Sequence, residues 1–177
     1  MKRWGLRIAA LTLLIGIIVF SWGRYGPHPP APVLAPLSQQ IDRIEIYKSA
    51  RTLTVFRDDV PLRTYDIALG FAPEGDKQQE GDGKTPEGDF IINRRNPNSA
   101  FHLSLGLNYP RPQDIARAKA DGVSPGGDIF IHGQPNGLGK LTTLANDWTA
   151  GCIAISDAQI QELWQITPNG TPVTIFR

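Results

Sequence analysis

The chain has one cysteine, Cys152, and it closes a stretch that a histidine, His132, opens. A cysteine thiol is mostly protonated at neutral pH, with a pKa of about 8.5, and its thiolate form is the nucleophile. An imidazole within reach can take the thiol proton and later hand it to a departing amine. The two residue types together therefore point to nucleophilic attack on a carbonyl. Gly151 lets a substrate approach the backbone just before the sulfur. Backbone N–H groups at Gly151 and Cys152 are candidates for holding an oxyanion. Gly133 leaves a carbonyl beside the histidine that can fix its tautomer. The pair alone does not decide the matter. A lone Cys is commonly a small buried hydrophobe, and a Cys with a separated His is a non-specific signature.

The elements around the pair sharpen the reading. Ile129-Phe130-Ile131 runs into His132, and Ile153-Ala154-Ile155 runs out of Cys152. Both are short apolar runs of the kind that form buried strands. The two side chains would thus sit at strand ends, joined by a glycine-rich loop, where a rigid scaffold holds functional groups. Upstream, Ile41–Tyr47, Thr52–Arg57 and Leu62–Leu69 read as three strands of an antiparallel meander, with turns at Ser49-Ala50-Arg51 and Asp58-Asp59. A polar loop covers Gly70–Gly88. Its carboxylates do not follow the spacing of an EF-hand, so it reads as a solvated loop bordering a groove. Asp89–Asn93 is a strand, with Asn96-Pro97-Asn98 predicted to break it. His102–Leu105 is another strand, and His102 is a candidate substrate contact or a residue satisfied within the fold. Gln113–Ala120 reads as a helix. Ser156 and Gln159 form a capping-box pattern that starts a helix over Asp157–Ile166, with Ile160, Leu163 and Trp164 on its core face. Pro172–Phe176 is the last strand.

The stretch around the pair resembles the catalytic motif of the L,D-transpeptidase (YkuD-type) family. His132-Gly133 is followed, after the sixteen residues Gly133 to Trp148, by Thr149-Ala150-Gly151-Cys152. A second block also matches, Ala68-Leu69-Gly70 with Gly81-Asp82-Gly83-Lys84-Thr85-Pro86-Glu87-Gly88-Asp89-Phe90. A third runs from Phe101-His102-Leu103-Ser104-Leu105 through Asn108-Tyr109-Pro110. The resemblance covers Ile41 to Arg177. Two departures stand out: Ala150 where many members carry a second His, and Ala154 where many carry an Arg.

The resemblance implies a mainly β fold, an L,D-transpeptidase-like sandwich or barrel with two short helices. It implies Cys152 as nucleophile and His132 as base, with Gly151 and Gly133 in support and Thr149 and His102 as candidate substrate contacts. The substrate it implies is the peptide stem of peptidoglycan, cut between its third residue and terminal D-Ala. The acceptor would be a second stem amine or a protein lysine. Water as acceptor, giving an L,D-carboxypeptidase or murein amidase, is the alternative that the two departures leave open; a non-catalytic wall-binding domain is the more distant one. Cys–His acyl transfer requires no metal or organic cofactor.

The rest of the chain fits an exported protein. Lys2, Arg3 and Arg7 precede an apolar run from Ile8 to Phe20, the layout of a secretory signal or a membrane anchor within residues 1–23. Trp4 and Trp22 bracket that run as interfacial aromatics do. Residues 24–40 read as a proline-rich linker carrying Pro27, Pro29, Pro30, Pro32 and Pro36, either a spacer or a disordered join. Residues 41–177 form the domain, expected on the extracytoplasmic side and tethered to the inner membrane by residues 6–23 if these are not cut. A net charge of +1 gives no nucleic-acid footprint. An exported chain with a single Cys has no internal disulfide to make, which favours a free reactive thiol.

Overall fold

The computed structural model describes residues 2–26, 30–139 and 141–177. Pro27 and Pro29 of the linker lie outside the described residues, as do the side chains of Lys2 and Arg3. The first element is the helix α1 (Lys2–Tyr25). Along it Leu13, Ile17, Val19 and Phe20 are exposed. Among the described residues no helix is long and apolar enough to cross a membrane.

The domain opens with β1 (Arg43–Tyr47), β2 (Thr52–Arg57) and β3 (Val60–Asp66). Alternation decides which face is buried. Ile44 pairs with Val55 and Ile46 with Leu53, and all four are shielded from solvent. The β2–β3 turn is Asp58-Asp59, both residues at positive φ, which is the two-residue hairpin geometry that matches strand twist. The expected meander is present.

The remaining strands are β4 (Gly88–Ser99), β5 (His102–Leu107), β6 (Phe130–His132), β7 (Ile153–Ala154) and β8 (Pro172–Phe176). Together the eight strands run β3-β2-β1-β8-β4-β5-β6-β7. The chain beyond β3 brings the two ends of that order together. Ala68 and Ala154 exchange backbone hydrogen bonds, each of 2.8 Å, and Thr149 N–H donates to Leu69 O at 3.1 Å. The two helices of the domain are α2 (Pro112–Ala120) and α3 (Asp157–Ile166).

Two elements differ from the sequence reading. Asn96-Pro97-Asn98 does not end the fourth strand, because β4 continues to Ser99. Proline lacks a ladder donor, and it is tolerated here because the β4–β5 register slips between Asn96 and Ser99. The linker is also no free spacer over its described part. Ala35 N–H donates to Gln165 O at 2.7 Å, Ile41 N–H donates to Ile166 O at 2.9 Å, and the Trp164 indole donates to Pro32 O at 3.0 Å. The first two bonds satisfy carbonyls that the C-terminus of α3 leaves without helical partners. The Arg95 guanidinium adds a bond to Trp164 O at 2.7 Å and lies over the Trp164 ring.

At its other end, α3 begins with the capping box expected from the sequence. Gln159 N–H donates to Ser156 Oγ, and Ser156 N–H donates to Gln159 Oε1 at 2.9 Å. Ile160, Leu163 and Trp164 are buried in the core cluster.

Candidate active site

Cross-strand register assembles the site. Asn96 of β4 pairs with Ser104 of β5, and Ser104 pairs with His132 of β6. Two pairs along, Arg94 faces Gly106 and Gly106 faces Phe130. Strands β6 and β7 run parallel with Ile131 opposite Ile153, so Cys152 falls beside Phe130. Side chains two apart on a strand share a face, and residues of both rows open onto one cavity. It measures about 270 Å³ and is lined by Asn96, Ser104, Asp128, Phe130, His132 and Cys152, with Ser99, Ala100 and Phe101 at the β4–β5 turn. The only cysteine and His132 therefore meet in one hollow.

His132 is buried, and its Nδ1 lies 2.7 Å from Gly133 O. A carbonyl only accepts, so Nδ1 carries the proton and Nε2 is left as the basic nitrogen. The ring is held between aromatics. The Phe101 centroid lies 4.5 Å away and the Trp148 centroid 5.7 Å, the latter edge-on. Burial pushes the imidazole pKa down to about 4, opposed by the Gly133 bond. The ring is thus neutral at neutral pH, as a proton acceptor must be.

The Cys152 sulfur accepts Phe130 N–H at 3.4 Å, and its thiol lies 3.3 Å from Asp128 O. Burial raises the thiol pKa, and the Phe130 N–H pulls it back. The resting pair is therefore a neutral thiol and a neutral imidazole, and not a preformed thiolate–imidazolium.

The turn that presents Cys152 is tied by Thr149. Its hydroxyl accepts Gly151 N–H at 3.1 Å and donates to Cys152 O at 2.7 Å. This amends the expected oxyanion site. The Gly151 amide is engaged within the turn, which leaves the Cys152 amide as the candidate. Gly151 has φ +137, and a Cβ there would lie 2.7 Å from Lys84 O. The Gly81–Phe90 block thus packs behind the turn that carries Cys152, a steric reason for finding both motifs in one chain. Gly133 is likewise pressed against α3, where a Cβ would meet Asp157 Oδ1 at 2.7 Å.

His102 is placed elsewhere. Its Nε2 lies 2.8 Å from Gln161 Nε2 on α3, and it does not line the cavity. Thr149 does not line the cavity either; it shapes the turn.

Several contributors escaped the sequence reading. Gln134 is fully buried, donates to Ile155 O at 2.7 Å and accepts Leu144 N–H at 2.8 Å. Asn136 donates to Ser99 O at 2.9 Å and accepts His102 N–H at 2.8 Å. Asp147 accepts Leu69 N–H at 2.8 Å and pairs with Arg51 at 2.8 Å. These three clamp the loop between His132 and Cys152. The ring cage of Phe101 and Trp148 was missed too. The signal available for it was an aromatic close before the cysteine and another at the start of the third motif block. Among the described residues no cluster of His, Cys, Asp or Glu could hold a metal ion.

Fold and motif define a class. Residues 41–175 match the family model of the L,D-transpeptidase catalytic domain, YkuD, and the chain belongs to that family. Among its relatives is YkuD of Bacillus subtilis, whose own standing as an L,D-transpeptidase is provisional. It is 31% identical over 158 residues, covering 85% of this chain and 73% of that protein. The Bacillus licheniformis YkuD, equally provisional, is 29% identical over 75% of this chain, and the match spans 64% of its length. Among solved structures, the helical cell shape determining protein Pgp2 of Campylobacter jejuni superposes with a TM-score of 0.57 at 25% identity. That match covers 76% of this chain but 47% of Pgp2. An L,D-transpeptidase from Xylanimonas cellulosilytica shares the fold, with a TM-score of 0.51 over 84% of this chain and 65% of that one.

Proposed function

We propose that the protein is an exported cysteine acyltransferase that acts on peptidoglycan stem peptides. The observation that carries this reading is the shared cavity, in which Cys152 meets a buried His132 whose Nδ1 is held by Gly133 O. As Sγ adds to the stem carbonyl, the thiol proton passes to His132 Nε2. The oxyanion is met by the Cys152 amide. The intermediate collapses, the C–N bond breaks, and Nε2 returns the proton to the departing D-Ala amine. A thioester remains on Cys152. An acceptor amine, from a second stem or a protein lysine, then attacks the thioester and gives its proton to Nε2. The C–S bond breaks and the sulfur recovers that proton. The family implies the substrate, and the cavity supplies the groups for each step. Export rests on the basic residues and apolar run of the N-terminal segment, which would place the domain on the wall side of the membrane.

The test is intact-protein mass spectrometry of the full chain mixed with tetrapeptide muropeptides, beside Cys152→Ala. The expected result is an adduct equal to the muropeptide minus D-Ala, present in the parent and absent from the variant. Unchanged protein and unchanged muropeptide would overturn the reading. Trimmed muropeptide without an adduct would identify water as the acceptor.

A further inference from the structure

The helix α1 is apolar and open on every side. Leu13, Leu14, Ile15, Ile17, Val19 and Phe20 are each more than half exposed. At about 3.6 residues per turn, these six positions point all round the helix. A helix that is apolar all round is ordinarily buried, in a protein core or in lipid. A groove on a partner protein covers one side of a helix, whereas a bilayer covers every side. Trp22 and Tyr25 close the helix with exposed rings, the residue types that gather at a bilayer interface.

That aromatic end meets the domain on the loop between His132 and Cys152. A Cβ on Gly23 would lie 2.8 Å from Gly137 Cα, so two glycines bring the backbones of α1 and the loop into contact. Beside the contact, Leu138 is exposed and Leu141 is 82% exposed. Leu141 N–H donates to Leu138 O at 2.8 Å, which folds the tip back on itself. Residues three apart in a fold of this kind share a side. The root of the loop is seated on α3. Gln134 N–H donates to Asp157 Oδ1 at 2.8 Å, and Gly139 lies against the same carboxylate. The tip therefore holds a fixed place relative to the cavity.

We propose that this tip, with Leu138 and Leu141, rests in the headgroup layer of the membrane that holds α1, at a depth set by the contact of Gly23 with Gly137. The partner of the surface is a lipid bilayer. The loop ends in His132 on one side and Cys152 on the other, so the bilayer fixes the height and facing of the catalytic cavity. The stems within reach are then those of the wall layer nearest the membrane. The inference rests on the exported reading, with the N-terminal segment kept on the chain, and not on the steps of acyl transfer.

Depth measured at single labelled positions tests it. Cys152→Ala removes the one native thiol, so a spin label can be set at a chosen cysteine of the full chain. The positions are Ile15→Cys on α1, Leu141→Cys at the loop tip and Val123→Cys beyond α2, in vesicles of phosphatidylethanolamine and phosphatidylglycerol. Collisions with oxygen, which concentrates in lipid, against those with a water-soluble nickel chelate read the depth of each label. The Ile15 label is expected among the acyl chains and the Val123 label in water. The Leu141 label is expected within about 5–10 Å of the headgroup boundary. Adding Gly23→Leu should move the Leu141 label into water and leave the Ile15 label in place, because the new side chain has no room against Gly137. A Leu141 label as open to nickel as the Val123 label overturns the loop contact and leaves export and acyl transfer standing. A Leu141 depth that Gly23→Leu does not change overturns the glycine contact as what sets it. An Ile15 label in water, or a chain whose mass lacks the N-terminal segment, overturns the anchored form of the export reading and the loop contact with it.

Discussion

The two halves of the sheet are built differently. From β3 through β1 to β8, register is carried by backbone ladders, with β1 and β8 paired at every step from Ile44–Val173 to Tyr47–Phe176. From β4 to β7 the ladders are short and interrupted. β6 has three residues, β7 has two, and β4 slips register twice against β5. What holds that second half is side chain to backbone bonding, through Thr149, Gln134, Asn136 and Asp147. A ladder places every residue of a strand at once. Single side-chain bonds place one turn each. The regular half supplies stability, and the irregular half can set Cys152 and His132 at separately adjusted positions.

If that division is right, substitutions in the two halves should move different observables. The largest effect is expected in the irregular half. His132→Ala should lower the rate of adduct formation with tetrapeptide muropeptide by about 10²–10⁴-fold, the usual loss when a general base is removed. The same proton transfer sets the pH dependence. His132 is depressed to about 4, so it stays unprotonated and able to accept until the pH falls to that value. The acid limb of the rate should therefore lie near pH 4 and not near 6.5. Stopped reactions across pH 3.5 to 8 would read it, and a limb near 6.5 would mean that the ring is more hydrated than its burial implies.

In the regular half the observable should be stability. Leu53 is fully buried and pairs with Ile46 on one side and Tyr65 on the other. Leu53→Ala should cost about 2–5 kcal/mol in urea unfolding. The adduct rate per folded molecule should remain that of the parent. A rate that falls along with stability would couple the halves and break the comparison.

The same division explains what could be read from the chain. The meander, α2, α3 with its capping box, and β8 follow from local patterns, with ends within two residues of those expected except that β3 stops at Asp66, three residues short of Leu69. The proposed nucleophile, Cys152, and its proposed base, His132, came from composition and a motif. The residues that position them were invisible, because each acts through the fold. Gln134 and Asn136 look like polar loop residues until the loop is folded back onto α3 and the β4–β5 turn. Asp147 and Arg51 are far apart in sequence and meet only when the chain beyond β3 reaches β7. His102 could be read by type either as a substrate contact or as a residue satisfied within the fold, and its strand-end position turns its ring to Gln161. Pro97 looked like a strand breaker, since a register slip has no local signature. The linker looked like a spacer because nothing in a proline-rich run announces that its backbone will cap a helix.

The smallest expected effect tests how finely the irregular half is adjusted. The Thr149 hydroxyl bonds both Gly151 N–H and Cys152 O. Thr149→Val keeps the shape and removes both bonds. Thr149 is buried, so the Gly151 amide then either stays unpaired or turns toward the cavity. An unpaired buried donor costs about 1–3 kcal/mol. A modest fall in melting temperature with a few-fold slower adduct formation is expected, because the turn that carries Cys152 loosens while the rest of the site stays intact. Thr149→Ser keeps the hydroxyl and should restore the rate. If Thr149→Val instead lowered stability and left the rate unchanged, the turn would be a packing feature, and the placement of Cys152 would fall to the bonds from Phe130 N–H and to Asp128 O alone.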